Sequence, residues 1–144
     1  MKNVRDILRG KAYNGVFTIA PEATVLSAIE QMAEKNIGAL LVMEGDKLVG
    51  IITERDYARK VILAGKSSSN TLVQEIMDQK LLVIQPGTTI EECMALMIEN
   101  FVRYLPVVED GRVISVISMG NVVNTIISEQ NIVINNLQQY IMQG

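Results

Sequence analysis

The stretch Leu-Val-Gly-Ile-Ile-Thr-Glu-Arg-Asp at residues 48–56 decides the fold, because it returns in altered form 65 residues later. Residues 16–63 align with residues 81–128 without a gap, and ten of the 48 positions are identical, where roughly three would be expected by chance. A duplicated unit usually packs against its copy about a pseudo-twofold axis, and this arrangement creates two related clefts. We therefore expect the function of the chain to lie in those clefts.

The first unit reads as strand, helix, strand, strand, helix. Residues 16–19 predict a short strand, and Thr24 caps a helix whose apolar residues recur at helical spacing on one face. The apolar runs 39–43 and 48–52 flank a polar turn and predict a hairpin. Thr53 then begins the second helix of the unit.

The second unit repeats this order. Residues 81–84 predict the strand, and Thr89 with Glu92 forms the capping-box pattern at the start of a helix. A hairpin is predicted within residues 105–117. Pro106 lies early in that hairpin, and it predicts an edge or strand-start position because proline has no N–H to donate.

Both units are preceded by a similar leader, since residues 4–8 match residues 73–77 at an offset of 69. The larger offset indicates four extra residues in the first copy, around 11–14. We divide the chain into a first repeat with its leader at 1–68, a second repeat at 69–130 and a C-terminal helix at 131–144, which together form one module.

The C-terminal segment carries no charge from Asn131 onward, and Val133, Leu137, Tyr140 and Ile141 fall on one helical face. We expect this helix to dock on the body of the module or on a partner subunit.

The composition excludes several function classes. The chain has 144 residues, is 49% apolar, has a net charge of −3 and carries no basic run, so polymeric nucleic acid is a poor partner. No apolar stretch reaches membrane-spanning length and the first residues do not begin a signal peptide, so we expect a soluble, cytoplasmic protein without a membrane partner. There is no histidine and only one cysteine, Cys93, which lies on an apolar helix face. We therefore expect no disulfide, no metal site and no histidine-based catalysis.

The unit order, the leaders and three phrases together resemble the cystathionine-β-synthase (CBS) domain. The phrases are residues 37–42, residues 48–56 and the run Arg-Tyr-Leu-Pro-Val-Val at 103–108. The resemblance covers roughly residues 3–128, and the remainder is similar to small stand-alone CBS-pair proteins associated with signal transduction. It implies an α/β fold of duplicated β-α-β-β-α units packed about a pseudo-twofold axis. It also implies a tandem pair, or Bateman module, that can bind adenosine nucleotides and often forms a homodimer.

The main candidate site is Thr53 to Asp56, which follows an apolar strand and begins a helix. Such a position suits a phosphate, because backbone N–H groups and the positive end of the helix dipole are free there. By the resemblance, Thr53 contacts the phosphate and Asp56 accepts from the ribose hydroxyls. Arg55 can add positive potential, and a solvated basic face explains it equally well. The same pattern is also an N-terminal capping box that needs no ligand.

The remaining candidate ligand contacts follow from the resemblance and from the second copy. Arg103 suits a phosphate through its planar guanidinium, and it is equally an ordinary surface arginine. Ala39 and Tyr104 occupy the next position in each copy, and by the resemblance they lie beside the base, where a tyrosine could stack on the base or fill the cleft. Thr18 belongs to the same predicted ligand set. In the second copy Ser118 and Asn121 replace Thr53 and Asp56, which predicts a cleft that is weaker, altered in selectivity or empty, because Asn lacks the carboxylate charge.

We interpret the chain as a regulatory module that binds an adenine nucleotide, with AMP as the first choice among AMP, ADP, ATP and NAD. It is expected to form a homodimer, to need no cofactor for any catalytic step and to signal occupancy to an unidentified regulated protein. The alternative is a structural interaction module with empty clefts. An enzyme is disfavoured because the sequence offers no nucleophile with a base and no metal cluster.

Overall fold

A computed structural model describes residues 2–11 and 15–143. Its elements in chain order are α1 (Val4–Gly10), β1 (Thr18–Ile19), α2 (Val25–Lys35), β2 (Ala39–Glu44), β3 (Lys47–Thr53), α3 (Glu54–Tyr57), a π-helical turn (Ala58–Ile62), α4 (Val73–Ile76), α5 (Ile90–Asn100), β4 (Tyr104–Glu109), β5 (Arg112–Ser118) and α6 (Met119–Gln143). The predicted α/β organisation is confirmed. Residues 12–14 of the predicted insertion lie outside the described residues.

The first helix of each unit begins at the predicted cap. Thr24 Oγ1 accepts a hydrogen bond from Ser27 N at 3.2 Å, and Thr89 Oγ1 accepts one from Glu92 N at 3.1 Å. The Glu92 carboxylate in turn accepts from Thr89 N at 3.3 Å, so the capping box is complete. Both helices bury the predicted apolar face in the core of their own unit.

The sheets of the two units differ at one edge. In the first unit β1 runs parallel to β2, which pairs antiparallel with β3. In the second unit β4 and β5 form the hairpin, but the predicted strand at residues 81–84 is reduced to a single bridge between Ile84 and Val107. The reason is Pro106: its counterpart Leu41 donates its N–H to Phe17 O at 3.2 Å, and proline has no N–H with which to form that bond.

The leader helices are exchanged between the units. Helix α1 lies against the second unit, where Val4 N donates to Thr88 O at 2.9 Å and Val4 and Ile7 join the core around α5. Helix α4 lies against the first unit, where Val73 N donates to Ala23 O at 2.8 Å and Val73 joins the core around α2. Each hydrophobic core is therefore completed by the leader that precedes the other unit.

The second helices also differ. In the first unit α3 continues directly into the π-helical turn, whereas in the second unit α6 is one unbroken helix that includes the predicted C-terminal helix as far as Gln143. Every described side chain from Gln130 to Met142 is exposed, so this part of α6 does not dock on the body of its own chain. The alternative of docking on a partner subunit stays a prediction.

Candidate functional site

A cavity of about 370 Å³ lies between the two units. One wall is formed by the end of β3, α3 and the π-helical turn of the first unit, and the other by residues 78–82 and 101–106, which include the start of β4. Of the predicted ligand contacts, the fold brings Thr53, Arg55, Asp56, Arg103 and Tyr104 together in this lining.

Thr53 and Asp56 bond to each other as a complete capping box. The Asp56 Oδ2 atom accepts from Thr53 N and from Thr53 Oγ1, both at 3.0 Å, and Thr53 Oγ1 accepts from Asp56 N at 3.1 Å. The single hydroxyl proton of Thr53 is therefore directed at Asp56. This hydroxyl can donate to a phosphate only if it gives up that bond.

The other carboxylate oxygen of Asp56 is less occupied. Lys60 Nζ lies 3.2 Å from Asp56 Oδ1 and also donates to Ile76 O at 2.9 Å, which ties the π-helical turn to the end of α4. An ionised carboxylate offers about four acceptor positions, and the contacts of Asp56 use three. One position on Oδ1 is free to accept from a hydroxyl group in the cavity.

Tyr104 reaches across from the second unit to the first. A Cβ atom on Gly38 would collide with the Tyr104 hydroxyl and would lie 2.9 Å from Glu54 Oε1. Burial, and then the negative charge of Glu54, raise the pKa of Tyr104, while the neighbouring Arg103 opposes the shift. The glycine at position 38, where the second copy has Arg103, thus makes room for the tyrosine.

The cavity carries an excess of positive charge. Its five cationic side chains outnumber its three carboxylates and give a net charge of +2; they are Arg55, Arg59, Lys60, Lys80 and Arg103 against Glu54, Asp56 and Asp78. Within residues 2–11 and 15–143, none of the three arginines forms an ion pair with a carboxylate. Such a cavity attracts an anion and leaves guanidinium groups available to contact it.

Two predicted contacts lie elsewhere. Ala39 pairs with Thr53 across β2 and β3 but is not part of the cavity lining. Thr18 is exposed, and its carbonyl accepts from Gln31 Nε2 at 3.3 Å.

The second unit contains the counterpart of the capping box. Ser118 N donates to Asn121 Oδ1 at 2.9 Å and Asn121 N donates to Ser118 Oγ at 3.1 Å. Asn121 also lines a separate cavity of about 460 Å³ between α1 and α6. Lys11 lies in that cavity, donates to Val116 O at 2.6 Å, and has a pKa lowered by burial.

Sequence reasoning missed several residues of the first cleft. Asp78 and Lys80 follow the second leader, where no chemical motif marks them, and only the exchange of leaders carries them to the cleft. Glu54 stands inside the recognised motif, and its charge was the available signal.

Among the described residues, no cluster of three or more metal-ligating side chains occurs, and none of the helices there is apolar and long enough to cross a bilayer.

The fold and the cleft define a pair of CBS domains, a class of regulatory and signal-transduction modules. The chain belongs to the CBS-domain family, whose sequence profile matches residues 4–62 and 73–128.

Known proteins of this family resemble the chain along nearly all of its length. The mitochondrial CBS domain-containing protein CBSX3 of Arabidopsis thaliana is 37% identical over 98% of this chain and 72% of its own length. A Burkholderia ambifaria protein with CBS domains, whose name proposes a role in signal transduction, is 46% identical, with a TM-score of 0.86 over 90% of this chain and 96% of its own. The CBS domain pair of protein MJ0100 was crystallised with 5′-methylthioadenosine and S-adenosyl-L-methionine. It matches with a TM-score of 0.76 over 87% of this chain and 99% of its own length, and at 24% identity this shows a shared fold.

Proposed function

We propose that this chain is a sensor of adenine nucleotides, with AMP as its first ligand, and that it reports occupancy to a partner protein. The observation that carries the proposal is the cavity between the units, where Thr53 and Asp56 of one unit face Arg103 and Tyr104 of the other under a net charge of +2. A nucleotide combines an anion, a pair of ribose hydroxyls and an aromatic base, and these side chains offer a complement to each. The MJ0100 pair, which shares the fold, holds adenosine-type ligands.

The free acceptor position on Asp56 allows one ribose contact without rearrangement. One ribose hydroxyl bonds to Asp56 Oδ1 there, whereas a second hydroxyl requires Lys60 to move from its position 3.2 Å from that atom. Arg103 and Arg55, which have no carboxylate partner among the described residues, take the phosphate. Tyr104 supplies a ring for contact with the base.

Signalling follows from differential affinity. The cavity has walls from both units and from the segment that follows α4, so a ligand that prefers one arrangement of these walls increases its population. Lys60 connects the wall that carries Asp56 to α4, because it contacts both the Asp56 carboxylate and the last carbonyl of α4. Calorimetric titration with AMP, ADP, ATP and NAD tests the proposal: saturable binding of one of them supports it, and no heat with any of them at millimolar concentration contradicts it.

A second candidate function is a structural interaction module with empty clefts. It is favoured by the complete bonding of Thr53 to Asp56, which stabilises the start of α3 without a ligand. The same titration separates the two candidates. We propose no catalytic activity, and incubation with ATP followed by product analysis tests that exclusion.

We further propose that the module forms a homodimer with the second helix of each unit near the interface. Ile62 and Ile127 occupy equivalent repeat positions, and their side chains are 55% and 49% exposed, so both second helices present an apolar residue at the same place. In a twofold dimer the interface would cover Ile62 and Ile127 of both chains. A mass of one chain by light scattering at micromolar concentration would contradict this.

A further inference from the structure

The second half of α6 extends away from the module. The helix runs without a break from Met119 to Gln143, and 25 residues at about 1.5 Å each give a length of about 37 Å. Its first half packs against α5, β5 and α1, where Val122 and Ile126 join the core. Because the helix is unbroken, residues 130–143, here called the tail, cannot fold back to that core, and their described side chains are exposed.

Such a helix needs a packing partner. The tail contains Asn131, Asn135 and Asn136 and the β-branched run at 132–134, all of which have low intrinsic helix propensity. Isolated helices shorter than about 12–15 residues are marginal in water even with favourable sequences. The body nucleates α6, but propagation through the tail gains little from these residues, so contacts along its apolar stripe would stabilise its helical form.

The apolar residues of α6 form one stripe that continues from the body into the tail. Together with Gln130, eight of these residues have the heptad spacing of three and four that is typical of paired helices, whereas Ile132 and Met142 lie off the stripe; the eight are Val123, Ile126, Ile127, Val133, Ile134, Leu137, Tyr140 and Ile141. Gln130 is the one polar residue within this pattern, and Asn135 lies on the opposite face.

The exposed part of the stripe is large enough for an interface. The side chains of Leu137, Tyr140 and Ile141 are 57%, 77% and 74% exposed, and those of Ile127, Val133 and Ile134 are about half exposed. Together these six expose on the order of 600 Å², compared with about 800 Å² per partner in a standard protein interface.

The chemistry of the tail selects its partner. No charged residue follows Glu129, so the tail lacks the lysines and arginines with which surface helices bind anionic membranes. It also offers nothing to a strongly charged protein. Two copies of the tail, by contrast, meet without like-charge repulsion, and a twofold axis brings the same stripe to both sides of the contact.

We propose that the tails of two copies pair in parallel and in register through this stripe. In that arrangement Gln130 faces its counterpart, and the two side-chain amides can hydrogen-bond to each other, as polar residues do at the core positions of paired helices. An antiparallel pair through the same stripe would instead oppose Gln130 with an isoleucine of the other core position, Ile127, Ile134 or Ile141, and leave the amide without a partner. This inference is independent of the nucleotide proposal, since the tail contributes nothing to either cavity.

Disulfide trapping in the full chain tests the pairing. Gln130→Cys is compared with Asn135→Cys, which places the same thiol on the opposite face; the native Cys93 is buried and its pKa is raised to about 11, so it does not compete. In a glutathione redox buffer, Gln130→Cys should form a chain-to-chain disulfide at least tenfold faster than Asn135→Cys. Equal rates, or no disulfide at position 130, would overturn the proposal.

A charge introduced into the stripe gives a second, independent readout. Leu137→Glu, added to Gln130→Cys, should slow trapping at least tenfold, whereas Asn135→Glu, which adds the same charge on the opposite face, should not. Neither position belongs to a hydrophobic core, so thermal unfolding of the body should be unchanged in both variants. Trapping that is insensitive to Leu137→Glu would refute pairing through the stripe.

Discussion

Asp56 has two possible roles, and replacing it with two different residues separates them. Its carboxylate caps the start of α3 through Thr53, and the remaining position on Oδ1 is the proposed ribose acceptor. Asp56→Asn keeps the cap, because Asn121 bonds to Ser118 N in the equivalent position at 2.9 Å. Asp56→Ala removes the ribose acceptor and the carboxylate half of the capping box, while Thr53 Oγ1 still accepts from the backbone N–H of residue 56.

The expected magnitudes follow from these contacts. Loss of a charge-assisted hydrogen bond costs about 1.5–3 kcal/mol, so Asp56→Asn should weaken AMP binding roughly tenfold to a hundredfold. Its effect on the free energy of unfolding should be small. Asp56→Ala should weaken binding at least as much and should also destabilise the protein by about 0.5–1.5 kcal/mol, the net worth of an ordinary hydrogen bond, because Thr53 N loses its acceptor.

The assay combines isothermal titration with AMP and thermal unfolding of the ligand-free protein. If Asp56→Asn binds AMP as tightly as the parent, the carboxylate charge has no part in the site. If Asp56→Ala loses stability while both variants bind AMP as tightly as the parent, Asp56 is part of a cap alone and the structural alternative gains support.

Three further predictions concern the asymmetry and packing of the cleft. Gly38→Ala should displace the Tyr104 hydroxyl and lower the free energy of unfolding by about 1–3 kcal/mol, as overpacking does. Gly87→Ala is its control, because a Cβ there meets nothing within 4 Å. Adding Tyr104→Phe to Gly38→Ala should restore part of the loss by removing the hydroxyl. Asn121→Asp should raise the affinity of the weaker second cleft, and calorimetry that finds two equal tight sites in the parent protein would contradict the assumed asymmetry. Glu54→Gln should lower the pKa of Tyr104 toward its ordinary value of 10.0, because a negative charge that disfavours the phenolate is removed; titration of the ring by NMR measures the shift, and an unchanged pKa would mean that burial alone is responsible.

Local patterns predicted most of the secondary structure because the deciding interactions are short in range. The cap at Thr24, the capping box of Thr89 and the turn of the hairpin predicted within residues 105–117 each involve residues within a few positions of one another. Where a distant residue intervenes, the prediction was less accurate. The strand at 81–84 shortens because Pro106, more than twenty residues later, cannot donate to it.

The candidate site was predicted only in part for the same reason. Thr53 and Asp56 stand in one motif, and their mutual bonds could be expected from their spacing. The packing of Tyr104 over Gly38, where it feels the charge of Glu54, joins residues from different units, and no pattern within either unit encodes it. The π-helical turn that presents Arg59 and Lys60 likewise has no signature in the local sequence.

The exchange of leaders affects how the protein folds during its synthesis on the ribosome. The core of the first unit includes Val73 and Ile76, which are synthesised only after the unit itself. Val4 and Ile7 belong to the core of the second unit, most of which is synthesised only near the end of the chain. Neither half can therefore finish folding as it emerges, and contacts of such long sequence separation are slow to form. We expect the nascent chain to stay incompletely folded until the second unit is released, and the two halves to unfold together rather than one at a time.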